Sequence, residues 1–94
     1  MELDRIIHQP IRCRILTYLV AQGPADYVTI RSKFDLTDGH MTTHMRELIE
    51  AKYVSFEKDF VDNKRPRTTY KITALGRKQL IAYSKAIHKI LAGE

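Results

Sequence analysis

The sequence predicts a mainly α-helical domain with one small β-hairpin. Three observations support this fold class. Apolar residues recur at helical spacing in four segments, their period shortens to about two between residues 54 and 72, and a polar, basic stretch interrupts that alternating region. Because the chain has 94 residues and no evident linker, residues 1–94 are expected to fold as one domain around a single core.

The first half of the sequence predicts helices with recognisable ends. Residues 3–8 are apolar enough for one or two helical turns. Pro10 suits the first position of the next helix, where its missing N–H has no partner, and that helix is expected to end at Gly23. Asp26 is expected to cap a short helix over residues 28–34.

A tight polar connection, residues 35–37, leads into another helix. Leu36 is expected to anchor this connection in the core, and Thr37 to cap a helix that runs to about residue 51. Asp38 lies in its first turn, where the helix dipole favours an acid. The inward stripe is predicted to consist of Met41, Met45, Leu48 and Ile49. Residues 28–51 are therefore expected to form a helix-turn-helix unit.

A β-hairpin is predicted over residues 54–72. Val54, Phe56 and Phe60 alternate with polar residues, which is typical of a half-buried strand. Residues 62–67 are expected to form a polar loop, because Asn63 tolerates a left-handed backbone and Pro66 excludes helix. The second strand is expected over residues 68–72, with its apolar side chains Tyr70 and Ile72 facing inward.

The last helix is expected over residues 74–91, with Thr73 as its cap. Its apolar residues follow a 3-4-3 spacing, which makes a narrow seam of the coiled-coil kind. Such a seam predicts a contact between two subunits. The predicted dimer interface comprises Leu80, Tyr83, Ile87 and Ile90 of this helix, with Leu3, Ile6 and Ile7 from the N-terminus.

This order of elements is the plan of a winged helix-turn-helix, in which the hairpin is the wing. A helix fits the major groove of B-DNA, and a basic hairpin tip can contact phosphates. The charge of the chain agrees with such a partner: residues 1–50 carry a net charge of −1 and residues 51–94 a net charge of +6. The predicted DNA-binding residues are His40, Thr42, Thr43 and Arg46 on the helix, with Lys64, Arg65 and Arg67 on the wing.

Two segments resemble small single-domain winged-helix transcriptional regulators of the MarR/ArsR-like type. They are LTDGHMTTHMRELIEAKYV at residues 36–54 and RTTYKITALGRKQL at residues 67–80, and the likeness covers nearly the whole chain. It implies a sequence-specific regulator that binds double-stranded DNA as a homodimer. Two positions depart from the pattern. Lys52 stands where many relatives have a left-handed glycine, and Cys13 is a single cysteine where metal-sensing relatives use pairs.

Two other functions remain open. Three acids lie between residues 38 and 51 against the single cation Arg46, which favours a winged-helix module that binds another protein. A ligand- or redox-responsive regulator of the same fold would use an effector, or Cys13, as its sensor. An inert, half-buried role for Cys13 is the alternative.

Several classes are not expected. The sequence shows no phosphate-binding loop, nucleophile motif or paired carboxylates, and a domain of this size has little room for a pocket of ~300 Å³. The chain is therefore not expected to be an enzyme or to carry a cofactor. His40 and His44 have metal-compatible spacing but lack a third ligand, so no metal site is predicted. One cysteine and no apolar run of ~20 residues predict a cytoplasmic protein without a membrane segment.

Overall fold

The computed structural model describes residues 3–94, so Met1 and Glu2 of the predicted domain lie outside the described part of the chain. Within that part, helices and strands follow in the order α1 (Pro10–Gln22), β1 (Ala25–Asp26), α2 (Tyr27–Lys33), α3 (Asp38–Glu50), β2 (Val54–Val61), β3 (Arg65–Ile72) and α4 (Ala74–Leu91). The strand β1 has only two residues and was not predicted.

Each helix begins at a side chain that accepts a hydrogen bond from a backbone N–H of the first turn. These caps are Gln9 for α1, Asp26 for α2, Thr37 for α3 and Thr73 for α4. Such caps satisfy N–H groups that have no partner inside the helix, which fixes where each helix starts. The three caps predicted from the sequence are confirmed, as is Pro10 at the start of α1.

The segment before α1 is a turn and not the predicted helix. Asp4 Oδ1 accepts hydrogen bonds from the N–H groups of Ile6 at 2.9 Å and Ile7 at 3.2 Å, and the Asp4 carbonyl accepts one from His8. A short acidic side chain that bonds its own backbone competes with helix formation. The turn directs Ile7 into the core, where its side chain is fully buried.

The three strands form an antiparallel sheet in the order β1-β3-β2. Val61 pairs with Arg65, so the hairpin loop contains only residues 62–64 and the predicted loop over 62–67 is too long. Asp62 and Asn63 both have positive φ, and the Lys64 N–H donates to the Val61 carbonyl at 3.0 Å. Pro66 is accommodated because β1 pairs with β3 only at Thr69 and Tyr70, which leaves an open edge beside the proline.

The core lies between α1, α2, α3 and one face of the sheet. Its buried residues are Ile7, Ile15, Leu16, Leu19, Ile30, Met41, Met45, Leu48, Tyr53, Val54 and Tyr70. Leu36 and Ile49 are partly buried against this cluster, as the sequence predicts. The molecule measures 54 × 25 × 22 Å along its principal axes. The structure confirms the predicted fold class, a mainly helical winged helix-turn-helix.

Candidate nucleic-acid interface

The outer face of α3 carries all four residues that the sequence assigns to base and phosphate contacts on this helix. His40, Thr42, Thr43 and Arg46 are exposed, whereas the opposite stripe packs into the core. The Thr43 hydroxyl donates to the Gly39 carbonyl one turn earlier at 3.0 Å. The N-terminal part of α3 therefore presents small polar groups and one cation to solvent, which is a surface that fits a DNA groove.

The acid at the start of α3 has partners on α2. The Tyr27 hydroxyl donates to Asp38 Oδ1 at 2.7 Å, and Arg31 Nε lies 3.7 Å from the same oxygen. This hydrogen bond, followed by desolvation, raises the pKa of Tyr27 above its ordinary value. The contacts offset the charge of Asp38 beside the residues that would approach the bases. Asp38 is one of the three acids of α3 that favoured the protein-binding alternative.

A groove separates α3 from the wing. Its volume is about 360 Å³, and its lining includes Thr42 and Arg46 from α3 together with Phe56, Lys58 and Thr68 from β2 and β3. Two cations, Arg46 and Lys58, therefore stand on opposite walls of one groove. Lys and Arg placed in this way can neutralise a phosphate strand that passes between them.

The two faces of the β2–β3 hairpin differ in charge. Successive strand residues point to opposite faces, so Val54, Phe56, Lys58 and Phe60 share the face that lines the groove. Both acids of β2, Glu57 and Asp59, lie on the other face. Lys58 was not among the predicted DNA-binding residues. The alternation within β2 contains the signal that would have identified it.

The predicted basic residues of the wing occupy different places. Lys64 lies in the turn, whereas Arg65 and Arg67 belong to β3 and lie on the face opposite Lys58. Arg67 is bound to Asp59 by two hydrogen bonds of 3.0 and 2.6 Å. These bonds are the main cause of the lowered pKa of Asp59, which keeps its carboxylate ionised beside Arg67.

The predicted dimer residues also separate into groups. Ile7 is fully buried in the core of its own chain, so its side chain has no surface to offer a second subunit. Ile6, Leu80 and Tyr83 are partly buried against that core, and the Tyr83 hydroxyl lies 2.7 Å from His8 Nδ1. Leu3 and Ile87 are half-buried, and Ile90 is 47% exposed. The end of α4 therefore retains the most accessible part of the predicted seam.

His44 and Cys13 have structural contacts. His44 Nδ1 lies 3.3 Å from Arg12 Nη1, which joins α3 to α1. Burial, followed by the charge of Arg12 and the proximity of His40, lowers the pKa of His44 below 6.5. Cys13 is half-buried against the core. Its part in redox sensing stays a prediction.

A second groove lies between the start of α2 and the open edge of β3. It has a volume of about 450 Å³ and includes Tyr27, Val28, Val61 and Pro66 in its lining. The sequence predicted little room for a pocket of ~300 Å³ in so small a domain. That expectation is wrong, because this groove on the surface is larger. The ligand-responsive alternative, whose effector was expected at the dimer interface and not in this groove, stays a prediction.

A family model for the winged helix DNA-binding domain matches residues 11–91. The chain belongs to this family. The match spans α1 to α4 and so includes the helix-turn-helix, the wing and the last helix.

This winged helix domain is also similar to individual proteins of archaea. It is 30% identical over 87 residues to an uncharacterized protein of Methanocaldococcus jannaschii, covering 93% of this chain and 90% of that protein. A structure of a transcriptional regulator homologue from Pyrococcus horikoshii OT3 superposes with a TM-score of 0.85 at 28% identity, covering 96% of this chain and 88% of the other. A candidate transcriptional regulator from Thermoplasma acidophilum gives a TM-score of 0.73 at 26% identity, with coverages of 96% and 94%.

Residues 3–94 contain no helix that is both long enough and apolar enough to cross a lipid bilayer.

Proposed function

We propose that this winged helix domain is a transcriptional regulator that binds double-stranded DNA sequence-specifically as a homodimer. The observation that carries the proposal is the groove between α3 and the wing, where Arg46 and Lys58 face each other and both acids of β2 point away. A surface of this shape would allow the outer face of α3 to enter a major groove while the hairpin follows the adjacent backbone.

The candidate residues would make three kinds of contact with DNA. His40, Thr42 and Thr43 lie near the start of α3, where side chains of a recognition helix contact base edges. Arg46 and Lys58 would hold the phosphates that cross the groove. Lys64 at the wing tip would contact the backbone further along the duplex. Arg65 and Arg67 would add to the positive field, since their strand face is turned away from α3.

The end of α4 is the best-supported dimer contact. Ile87 is half-buried, and Ile90 and Leu91 are exposed at the far end of an 18-residue helix. Two copies that pair through this seam would bury those side chains, which is the driving force for association. The pairing would also set two α3 helices at a fixed separation, as an inverted repeat in DNA requires. The two similar archaeal structures described as regulators favour this function over a purely structural one.

The test is selection of sites from a random duplex pool at about physiological salt. The expected result is an inverted repeat with half-sites about 10 base pairs apart. Binding of the selected site should fall by roughly 10³–10⁵ between 50 and 200 mM salt if 6–10 phosphates are contacted. An unenriched pool with salt-sensitive binding would indicate a nonspecific DNA-binding protein. No binding at all would favour the module that binds another protein.

The dimer requires its own test, for which the chain offers a matched pair of substitutions. Ile90→Glu places a charge in the seam, whereas Ile81→Glu makes the same change at an exposed residue on another face of α4. The expected result in sedimentation experiments is a monomer for Ile90→Glu and an unchanged dimer for Ile81→Glu. The reverse outcome would reject the seam, and a parent protein that sediments as a monomer would reject the homodimer.

A further inference from the structure

Phe60 is a large apolar residue that is exposed on the wing. Its side chain is 66% exposed, and among the large apolar residues of the described chain only Leu91 is more exposed, at 81%. Phe60 pairs across the hairpin with Pro66, two residues before the turn at 62–64. Because the Phe60 side chain is largely exposed near the hairpin tip, this apolar cross-strand pair adds little to the core.

The position of Phe60 follows from the strand geometry. It lies on the same face of β2 as Phe56 and Lys58, and these two residues line the groove beside α3. One further step of two residues moves about 7 Å along the strand. If a phosphate strand occupies the groove between Arg46 and Lys58, Phe60 therefore lies beyond that strand. In B-DNA each phosphate strand separates a major groove from a minor groove, so the groove beyond that strand is a minor groove.

We propose that Phe60, supported by Pro66, is an apolar wedge that enters the minor groove beside the major groove occupied by α3 and partly unstacks a base step. The inference rests on the proposed DNA-binding function. Minor-groove proteins insert Phe, Leu, Ile, Met or Pro between base steps and bend the duplex by 20–90° toward the major groove. The wing supplies such a side chain, and Lys58 and Lys64 on either side of it neutralise the two flanking backbones.

The charges around Phe60 favour DNA over a second copy of this chain. The groove-lining face of β2 carries Lys58 and no carboxylate, while Glu57 and Asp59 lie on the opposite face. Two copies that met through these faces would bring lysines together without compensating acids. A polyanion with apolar sugar walls matches both the charge and the exposed ring.

The test compares Phe60→Ala with a matched control. Val28→Ala removes another exposed apolar side chain, 59% exposed, from the start of α2 and outside the hairpin. The probes are a duplex carrying the selected site with fluorophores at its ends, which reports bending, and the same duplex with 2-aminopurine substituted at successive positions, which reports unstacking. Thermal melts of both variants check that they fold, as expected for side chains that lie outside the core.

The wedge predicts a bent duplex and a local rise in 2-aminopurine fluorescence with the parent protein. Phe60→Ala should abolish both signals and weaken binding about tenfold, the scale of one base–aromatic stacking interaction, without changing the salt dependence. Phe60→Leu should retain part of the bend. Lys58→Gln should keep the bend and reduce the magnitude of the negative slope of log K against log salt by about 1. Val28→Ala should match the parent in all these measurements.

Other outcomes overturn the proposal in distinguishable ways. A parent protein that binds its site without bending or unstacking it would reject the wedge and leave the DNA-binding function standing. Equal bending by the parent and Phe60→Ala would do the same. A change in oligomeric state of Phe60→Ala without DNA would identify the ring as a protein contact. Failure of the parent to bind any duplex would reject the proposed function and the wedge together.

Discussion

Arg67 donates two hydrogen bonds to Asp59 across the β2–β3 hairpin, from Nε to Oδ1 at 3.0 Å and from Nη2 to Oδ2 at 2.6 Å. The pair lies on the strand face turned away from α3, opposite Lys58. The wing therefore separates its charges: a paired cation and acid on one face, and an unopposed lysine on the face that lines the groove. We therefore expect position in the strand, and not the number of basic residues, to decide which cation contacts DNA.

This arrangement predicts that Lys58→Gln and Arg67→Gln affect DNA binding differently. Each removes one positive charge, but only Lys58 lines the groove beside α3. Lys58→Gln is expected to reduce the magnitude of the negative slope of log K against log salt by about 1, and Arg67→Gln to leave it nearly unchanged. Fluorescence anisotropy titrations between 50 and 200 mM salt measure the slopes. Equal slopes for the two variants would show that the face of the hairpin does not matter.

The elements that the sequence predicted well are those with local signals. Thr37 and Thr73 accept the N–H of the residue three positions later, so their caps depend only on neighbouring residues. The stripes of α1 and α3 repeat over several turns. The predicted ends of α4 agree with Ala74–Leu91 for the same reason: a cap marks its start and a sustained period carries it to its end.

The elements that were missed depend on interactions between residues distant in sequence. The turn at residues 3–9 is fixed by Asp4, whose other carboxylate oxygen accepts a hydrogen bond from Tyr53. No local pattern indicates that partner, and so the burial of Ile7 was not anticipated. The strand β1 is defined only by its pairing with β3. Pro66 suggested a loop, because proline is tolerated in a strand only where the edge beside it is open. The open edge of β3 becomes apparent only once the order of the strands is known.

The residues of the candidate site likewise divide into those with local sequence signals and those that depend on distant pairing. The outward residues of α3 could be predicted because the inward stripe is regular. The hairpin residues could not be assigned to faces, since a loop predicted over 62–67 removed Arg65 and Arg67 from the strand. Once Val61 is paired with Arg65, the alternation places Lys58 in the groove and Arg67 beside Asp59. A register error of this kind changes the face of each affected side chain.

Lys52 is expected to be replaceable by glycine with a gain in stability. It follows α3 with a φ of 65°, in the left-handed region where many regulators of the resembled type have a glycine. A residue with a Cβ destabilises the fold by about 1–2 kcal/mol in this conformation. Replacement by glycine recovers only part of this free energy, because glycine also increases the conformational entropy of the unfolded chain. Lys52→Gly should therefore raise the free energy of unfolding by up to about 1 kcal/mol in urea titrations. Lys52→Val is the control and should lower it, because a β-branched side chain tolerates this backbone least.

Gly76 is expected to tolerate no side chain. It is buried in the first turn of α4, where an added Cβ would overlap the carbonyl oxygen of Tyr53 and lie 3.0 Å from Ile72 Cγ1. That carbonyl also accepts the Thr73 N–H at 2.9 Å, so it cannot move without weakening this hydrogen bond. Gly76→Ala should lower the free energy of unfolding by at least about 2 kcal/mol. A melt that matches the parent would show that α4 can shift away from Tyr53.

His44 is expected to make the fold less stable in mild acid. Its pKa is lowered in the folded chain from 6.5 by burial and then by Arg12 and His40, so the unfolded chain binds the proton more readily. This difference has no effect well above pH 6.5. As the pH falls through 6.5 toward the lower folded pKa, the unfolded state gains protons first and stability is lost.

His44→Gln should therefore flatten the decline in unfolding free energy between about pH 7 and 5, measured by urea titration at each pH. Glutamine keeps a polar side chain beside Arg12 but does not titrate in this range. A decline as steep as that of the parent would assign it to other groups.

Gly39 lies in the first turn of α3, on the face that carries Thr43, and nothing in the packing requires a glycine. An added Cβ would meet only the Thr37 hydroxyl, at 4.0 Å, and the backbone there has ordinary helical geometry. A helix with glycine at a given position is less stable than the same helix with alanine there by roughly 0.5–1 kcal/mol. Gly39 therefore weakens the helix, although the fold has room for a side chain there. A close approach of another molecule to this part of the backbone would account for the glycine.

Gly39→Ala is therefore expected to stabilise the fold and weaken DNA binding. The gain in unfolding free energy should be up to about 1 kcal/mol, opposite in sign to the effect of the same substitution at Gly76. Affinity for the selected site should fall about tenfold, the scale of one good interaction with a base edge, because a methyl group would hold α3 away from the groove. Urea titration and anisotropy with the same preparations measure the two effects. Increased stability with unchanged affinity would show that DNA does not come close to Gly39, and the start of α3 would then bind further from the bases than proposed.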